Sequence, residues 1–268
     1  MSSNAPIGVF DSGVGGLTVA VEIMQQLPNE RIIYFGDTAR VPYGNKSKKT
    51  IIRYSKQIVN FLLTKQVKAI VVACNTASAF ALESIASQVP IPIIGVVKPG
   101  ARAAASVTKN NNIGIIGTKG TINSGIYQSF LKETNPEVHV FGRACPLFVP
   151  LVEEGWVDDS VTLKIAKRYL YDLLDYNIDT LVLGCTHYPL LRNVIGQVLG
   201  SEVTLVNPAY ETAKTLHKVL SKYNLESERL EEGHEFYVSD GTEQFNDFAK
   251  EILPHYLKKV KEINIDGY

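Results

Sequence analysis

Short apolar strand patterns alternate with amphipathic helical patterns along nearly the whole chain, and no other feature constrains the fold as much. Branched apolar runs that are each followed by a helical pattern are typical of parallel strands joined by crossover helices. We therefore predict an α/β fold with mainly parallel sheets. The predicted strands are 7–10, 32–35, 69–73, 93–97, one that starts at 113, 138–141, 180–183, 203–206 and 236–238, and the predicted helices are 17–27, 47–64, 78–86, one through 126–131, 158–176, 208–222 and 242–253.

The alternation contains a weak internal repeat. The segment 113–118 echoes the segment 7–12, at a period of about a hundred residues that is too long for a solenoid. We predict two similar α/β domains, each a mainly parallel sheet flanked by helices, with the active site in the cleft between them. No low-complexity linker separates them, so the boundaries are predicted near Pro99 and Asn207. The charged stretch 224–235 is predicted to be a surface loop, and the segment after it to pack back on one half.

Composition excludes several classes of protein. The 268 residues allow one large domain or two of ordinary size. Lysine and arginine total 27 and so do aspartate and glutamate, which gives no basic excess for nucleic acid. No apolar run approaches the roughly 20 residues of a membrane span, and the first residues lack a signal-peptide pattern. We expect a cytoplasmic protein that binds neither nucleic acid nor membrane, with reduced cysteines.

Two of the three cysteines occur in similar contexts. Cys74 and Cys185 each follow a short apolar strand pattern and precede small polar residues. Both thiols are therefore expected at the carboxyl end of a strand, where open α/β sheets bind ligands. A single buried cysteine more often acts as a small apolar residue, but the pairing favours a functional interpretation. Cys145 has no matching partner and is assigned to packing.

A pair of thiols on opposite sides of one substrate can invert the configuration at a carbon atom. A helix N-terminus or a nearby positive charge lowers the pKa of a thiol, so one sulfur can remove a proton while the other returns one. That chemistry is racemisation or epimerisation, and it requires no metal and no cofactor.

Each sulfur also requires a neighbour that manages its proton. His187 lies two residues after Cys185 and suits that role near neutral pH, although a packed core histidine is the alternative. Asp11 ends the first strand and is expected beside Cys74, because consecutive parallel strands often lie side by side. Capping of the glycine-rich turn 11–16 is an equally good interpretation of Asp11. That turn lacks the lysine and spacing of a nucleotide loop, so its glycines are expected to allow close approach to a carboxylate.

Hydroxyl and amide side chains near the predicted strand ends suit the carboxylates and ammonium of an amino acid. Ordinary helix capping explains the same positions, and both interpretations can hold together. The side chains are Asn75, Thr76, Thr118, Thr121 and Thr186.

Three other functions remain open from the residues alone. Cys74, Cys185 and His187 could ligate zinc, but no metal-binding spacing supports that. Cys185 with His187 could form a thiol hydrolase or amidase, which would require only one cysteine. A two-lobed module that binds an amino acid without reaction is the non-enzymatic alternative.

Five segments in order resemble the cofactor-independent aspartate/glutamate racemase superfamily, and its glutamate racemases in particular. The resemblance covers essentially the whole chain. The segments are 8–16 (GVFDSGVGG), 37–44 (DTARVPYG), 73–77 (ACNTA), 151–155 (LVEEG) and 184–189 (GCTHYP).

This resemblance implies interconversion of L- and D-glutamate, which supplies D-glutamate for peptidoglycan, without a cofactor or metal. It implies a first domain of residues 1–98 and 208–268 and a second of 99–207. Because a site between two lobes must exclude water to favour carbanion chemistry, we also expect the cleft to close around substrate. By the same resemblance, Cys74 takes the α-proton of D-glutamate and Cys185 that of L-glutamate, while Asp11, His187 and Glu153 assist. Aspartate or hydantoin is the alternative substrate, and a homodimer is left open. The implied substrate contacts are Asp11, Ser12, Pro42, Tyr43, Gly44, Asn75, Thr76, Thr118, Thr121, Thr186 and His187.

Overall fold

A computed structural model describes residues 2–228, 233–254 and 259–268. Its strands are β1 (Ile7–Asp11), β2 (Ile32–Gly36), β3 (Ala69–Val72), β4 (Ile93–Gly95), β5 (Asn112–Gly117), β6 (His139–Ala144), β7 (Thr180–Gly184), β8 (Thr204–Val206), β9 (Glu235–Val238) and β10 (Val260–Glu262). Its α-helices are α1 (Leu17–Gln26), α2 (Lys48–Thr64), α3 (Asn75–Phe80), α4 (Leu82–Ala86), α5 (Val97–Val107), α6 (Lys119–Asn123), α7 (Ile126–Thr134), α8 (Phe148–Glu153), α9 (Ser160–Leu174), α10 (Arg192–Leu199), α11 (Pro208–Lys222) and α12 (Thr242–Ile252).

The strands form two sheets, and within each sheet all neighbouring strands are parallel. One sheet has the order β10-β9-β2-β1-β3-β4, and the other has the order β6-β5-β7-β8. Four strands of each sheet, β1–β4 and β5–β8, are therefore arranged alike, and we call each set of four a unit. Numbered in chain order within its unit, the strands lie side by side in the order second, first, third and fourth. This confirms the predicted α/β fold, and the shared strand order gives the sequence repeat a structural basis.

Helices cover both faces of both sheets, as buried parallel strands require. Helices α1, α11 and α12 pack on one face of the six-stranded sheet, and α2 to α4 pack on the other. Helices α8, α9 and α10 cover one face of the four-stranded sheet, and α5 and α7 cover the other. The strands β1, β2, β3 and β7 are buried along their whole length, which explains their mainly apolar sequences.

The chain passes between the sheets twice, each time through a helix. Helix α5 joins β4 to β5, and α11 joins β8 to β9. Pro99 lies in the first turn of α5, and the Asn207 side chain caps α11 by accepting a hydrogen bond from the backbone N–H of Ala209. The domain boundaries at 98/99 and 207/208 stay a prediction. Strands β9 and β10 extend the six-stranded sheet beyond β2.

Several sequence-based predictions of element limits were wrong. The helix predicted at 78–86 begins at Asn75, because the sulfur of Cys74 caps its first turn. It also breaks at Ala81 into two short helices. The strand predicted at 93–97 ends at Gly95, where α5 follows almost at once. Helices α5, α6 and α8 and strand β10 were not predicted, and the helical pattern expected after Cys185 was given no limits. Residues 229–232 of the predicted loop lie outside the described residues. None of the described helices is long and apolar enough to cross a membrane.

Candidate active site

A cavity of about 460 Å³ lies where the turns that follow strands of both sheets meet. Cys74 follows β3 and Cys185 follows β7, which are the third strands of their units, and both cysteines line this cavity. In each sheet the third strand lies beside the first, with Phe10 opposite Val72 and Gly117 opposite Gly184. The shared topology therefore brings two equivalent turns to one space, at the strand ends where open sheets bind ligands.

The Cys74 turn surrounds its sulfur with a helix start and a hydroxyl. The backbone N–H of Ala77 donates to Cys74 Sγ at 3.4 Å, and the thiol donates to Ser12 Oγ at 3.7 Å. Burial raises the pKa of Cys74 to about 12, and the nearby Asp11 carboxylate adds to this rise. The thiol of Cys74 is therefore held in its protonated form at neutral pH.

Asp11 lies at the end of β1, directly behind the cavity wall. Its Oδ2 accepts hydrogen bonds from the N–H groups of Gly13 and Gly16, both at 3.0 Å. Its Oδ1 is buried and has no hydrogen-bond partner within the described part of the chain. Burial raises the pKa of the Asp11 carboxyl, although the positive charge of His187 opposes that rise. Asp11 thus both fixes the glycine-rich turn and lies close enough to Cys74 to affect its ionisation.

The Cys185 turn has different neighbours. Nδ1 of His187 lies 3.8 Å from Cys185 Sγ, and Nε2 lies 2.9 Å from Glu153 Oε1. Burial lowers the pKa of His187, but hydrogen bonds with Cys185 and Glu153 outweigh burial and raise it to about 10. The imidazole is therefore positively charged at neutral pH. It links the sulfur of Cys185 to a carboxylate at the end of α8, whose side chain is 39% exposed.

Glycines at two positions allow close approaches between the two walls of the cavity. A Cβ on Gly15 would lie 2.4 Å from the imidazole of His187, and a Cβ on Gly44 would lie 2.6 Å from Cβ of Thr118. Both contacts join a turn beside the six-stranded sheet to a turn of the four-stranded sheet. A larger residue at either place would push the two walls of the cavity apart.

Most of the predicted substrate contacts line the cavity, and two do not. Asp11 and Thr121 are buried behind its wall. Thr121 Oγ1 lies 3.1 Å from the hydroxyl oxygens of both Thr76 and Thr118, and Thr118 caps α6. Thr121 therefore does not line the cavity. It supports the hydroxyls of Thr76 and Thr118, which do line the cavity. The residues that line it are Ser12, Pro42, Tyr43, Gly44, Asn75, Thr76, Thr118, Thr186 and His187.

The turn that carries Pro42, Tyr43 and Gly44 is held by a buried carboxylate. Asp37 is fully buried and accepts hydrogen bonds from the phenol of Tyr43 and from Ser239 Oγ. Nε of Arg40 contacts both of its oxygens, at 2.9 and 2.8 Å. The segment after β9 therefore helps to fix one wall of the cavity, which connects the C-terminal segment to the site.

Sequence reasoning did not single out several residues of the cavity wall. Lys119, the first residue of α6, is exposed and supplies a cation at the lining. Val149 on α8 supplies apolar surface, together with Val41, Pro146 and Pro150. Cys145 is fully buried among apolar side chains, as predicted. Across the described ranges, no three His, Cys, Asp or Glu side chains are grouped closely enough to hold a metal ion.

Comparisons with known proteins agree with this geometry. The Asp/Glu/Hydantoin racemase family model matches residues 12–216. A glutamate racemase of Geobacter metallireducens is 51% identical over 97% of both chains. The crystal structure of glutamate racemase isoform RacE1 from Bacillus anthracis has a TM-score of 0.94 at 42% identity, covering 97% of this chain and 98% of that one. The glutamate racemase of Francisella tularensis in complex with D-glutamate has a TM-score of 0.93 at 39% identity, covering 99% and 100%.

The fold, the paired thiols and these likenesses define an isomerase of the amino-acid racemase class. More specifically, because the family model matches well over half of its length, the chain belongs to the Asp/Glu/Hydantoin racemase family.

Proposed function

We propose that this protein interconverts L- and D-glutamate by a two-base mechanism in which Cys74 and Cys185 act on opposite faces of the α-carbon. The observation that carries this proposal is that both sulfurs line one cavity from equivalent turns of two separate sheets. A carbon acid held between them could lose a proton to one sulfur and gain a proton from the other. No cofactor enters this scheme.

In the direction from L- to D-glutamate, the thiolate of Cys185 takes the α-proton. The C–H bond breaks, an S–H bond forms, and the electron pair is left on the α-carbon, where the adjacent carboxylate delocalises it. The thiol of Cys74 then donates its proton to the opposite face, which forms the new C–H bond and leaves a thiolate at Cys74. The reverse reaction starts from that ionisation state, so protons and electrons balance in both directions.

The neighbours of each sulfur suit these roles. The imidazolium of His187 interacts favourably with negative charge on Cys185, and Glu153 holds that imidazolium by accepting from Nε2. On the other side, Ser12 and Asp11 lie beside Cys74, whose pKa is raised, so the thiol keeps its proton until the carbanion forms. Asp11, His187 and Glu153 are therefore proposed to assist the two cysteines rather than to contact the reacting carbon.

Glutamate is the proposed substrate because the 51% identical relative is a glutamate racemase and the solved Francisella structure holds D-glutamate. The cavity offers matching groups for two carboxylates. Hydroxyls and amides line one part of it, and the cation of Lys119 lies at the lining. We further propose that the product supplies D-glutamate for peptidoglycan in the cytoplasm.

Proton NMR of L-glutamate with purified protein in D₂O tests this function without added pyridoxal phosphate. We expect the α-proton signal to disappear and chiral chromatography to show D-glutamate. Loss of signal from aspartate or hydantoin but not from glutamate would assign a different substrate within the family. Binding of glutamate without α-proton exchange would reject racemisation altogether. An acyl-enzyme trapped on Cys185 with Cys74 dispensable would instead favour an amidase.

A further inference from the structure

One buried side chain contacts both cysteine turns. Tyr127 lies near the start of α7 and is 3% exposed. Its phenol donates to Asn75 Oδ1 at 2.7 Å, and Asn75 directly follows Cys74. The edge of its ring lies over Gly184, which directly precedes Cys185, because a Cβ on that glycine would lie 3.2 Å from Cε2 of Tyr127. Tyr127 thus spans the distance between the turns that carry the two sulfurs.

We infer that Tyr127 is a positioning residue, which fixes the carboxamide of Asn75 so that its NH₂ group faces the substrate. This inference rests on the proposed function and goes beyond it by assigning a task to a residue outside the cavity lining.

The argument begins with the two ends of the Asn75 amide. Oδ1 accepts the phenol O–H, and Nδ2 makes no hydrogen bond to any of the described residues. Asn75 is 4% exposed and lines the cavity, so a ligand in the cavity can contact it. An amide N–H that faces a cavity suits a carboxylate oxygen.

The opposite orientation of the amide would be unfavourable for the proposed substrate. If Nδ2 faced Tyr127, the carbonyl oxygen would point at a carboxylate, and two acceptors would meet without a proton between them. The hydrogen bond from the phenol to Oδ1 holds the amide in the observed orientation, and this bond requires that the phenol carries its proton. Burial raises the pKa of Tyr127, and the nearby sulfur of Cys185 raises it further, so the phenol remains a donor across the working pH range.

Tyr127→Phe keeps the ring over Gly184 and removes only the hydroxyl. We expect KM to rise about tenfold for both enantiomers with kcat changed less than about threefold, because a contact to a group that does not react contributes equally to ground state and transition state. Asn75→Ala should raise KM by a similar factor. The double variant should be no worse than Asn75→Ala alone, because both changes remove the same contact.

Tyr237→Phe is the matched control. Tyr237 is also buried and its hydroxyl also hydrogen-bonds, to Glu235 Oε2 at 2.6 Å, but it lies at the C-terminal part of the six-stranded sheet away from the cavity. This variant should leave KM unchanged. Thermal unfolding of each variant identifies any general loss of stability.

Three outcomes would overturn the inference. Unchanged KM in Tyr127→Phe is one, and additive effects of Tyr127→Phe and Asn75→Ala in the double variant are another. If Tyr127→Phe does not fold, unchanged KM in Asn75→Ala is the third. Failure of the proposed function is separate from all of these, because it would appear as an absence of glutamate racemisation in the unaltered protein.

Discussion

The two cysteine turns occupy the same place in two copies of one strand order, yet their chemical surroundings differ. Cys74 caps a short helix and has a hydroxyl and a buried carboxyl group beside it. Cys185 precedes a short 3₁₀ turn and has an imidazolium beside it, which is itself paired with Glu153. The shared topology therefore places the two sulfurs in equivalent positions, and the neighbouring side chains give them surroundings of different charge.

This inequality suits a reaction that requires one acid and one base at the same moment. A raised pKa keeps Cys74 as a thiol, whereas the positively charged imidazole of His187 lies beside Cys185. In the proposed mechanism this arrangement suits proton removal on the Cys185 side and proton donation on the Cys74 side. A pair of fully symmetric turns would have no such preference.

The largest expected effect comes from removing either sulfur. Cys74→Ser and Cys185→Ser should each lower the racemisation rate by at least about 10³-fold while substrate binding remains measurable, because serine is a far weaker acid and base than cysteine. The comparison of the turns predicts opposite residual activities. Cys74→Ser should exchange the α-proton of L-glutamate with D₂O faster than that of D-glutamate, and Cys185→Ser should show the reverse.

Cys145→Ala serves as the control for loss of a buried thiol. It removes a sulfur from the apolar core of the four-stranded sheet, so it should cost stability without changing the racemisation rate per folded molecule. Full activity in either of the other single variants would reject the two-base account.

A smaller effect is expected from the carboxylate behind the imidazole. Glu153→Gln removes the negative charge that helps to raise the pKa of His187, so kcat should fall about tenfold and the alkaline limb of the pH–rate profile should move to lower pH. Steady-state kinetics from pH 6 to pH 10 would measure both changes. Glu154→Gln provides a matched control, since Glu154 is the exposed next residue and has no side-chain ion pair or hydrogen bond within the described residues. Equal profiles for the two variants would contradict the role of Glu153.

The smallest effect concerns stability. The pKa of His187 is about 10 in the folded protein against an ordinary value of 6.5, so its contribution is complete below pH 6.5 and is lost as pH rises through 10. Urea unfolding at pH 6.5 and pH 7.5 should show that the free energy of unfolding falls by about 1 kcal/mol in the unaltered protein and by less in His187→Gln. The same loss in both proteins would show that the folded structure does not stabilise the charged imidazole.

Much of this comparison could be predicted from the amino-acid sequence alone. The alternation of patterns predicted parallel sheets, and the echo between 7–12 and 113–118 predicted two related units, which the shared strand order confirms. The placement of Cys74 and Cys185 after strands followed from the same reasoning. These features depend on local periodicity and on rules for parallel connections, which short segments carry by themselves.

Other features depend on contacts between distant segments and could not be predicted locally. The carboxylate of Glu153 looked like an exposed side chain at a helix end, and only the fold brings it to His187. Tyr127 looked like one apolar position of a helix, and its contact with Asn75 joins residues 52 positions apart. The early start of α3 was missed because a cysteine sulfur, rather than a serine or threonine hydroxyl, accepts the capping hydrogen bond.

The most direct test of the central claim is to measure which enantiomer of glutamate first carries deuterium. L-Glutamate is incubated with the protein in D₂O, and the first few per cent of turnover is analysed by chiral separation and mass spectrometry. Two sulfurs on opposite faces predict that nearly every D-glutamate molecule carries deuterium at the α-carbon while the recovered L-glutamate keeps its proton. Early D-glutamate that retains the original proton, or L-glutamate labelled as fast as product forms, would mean that a single base serves both faces and would contradict the account.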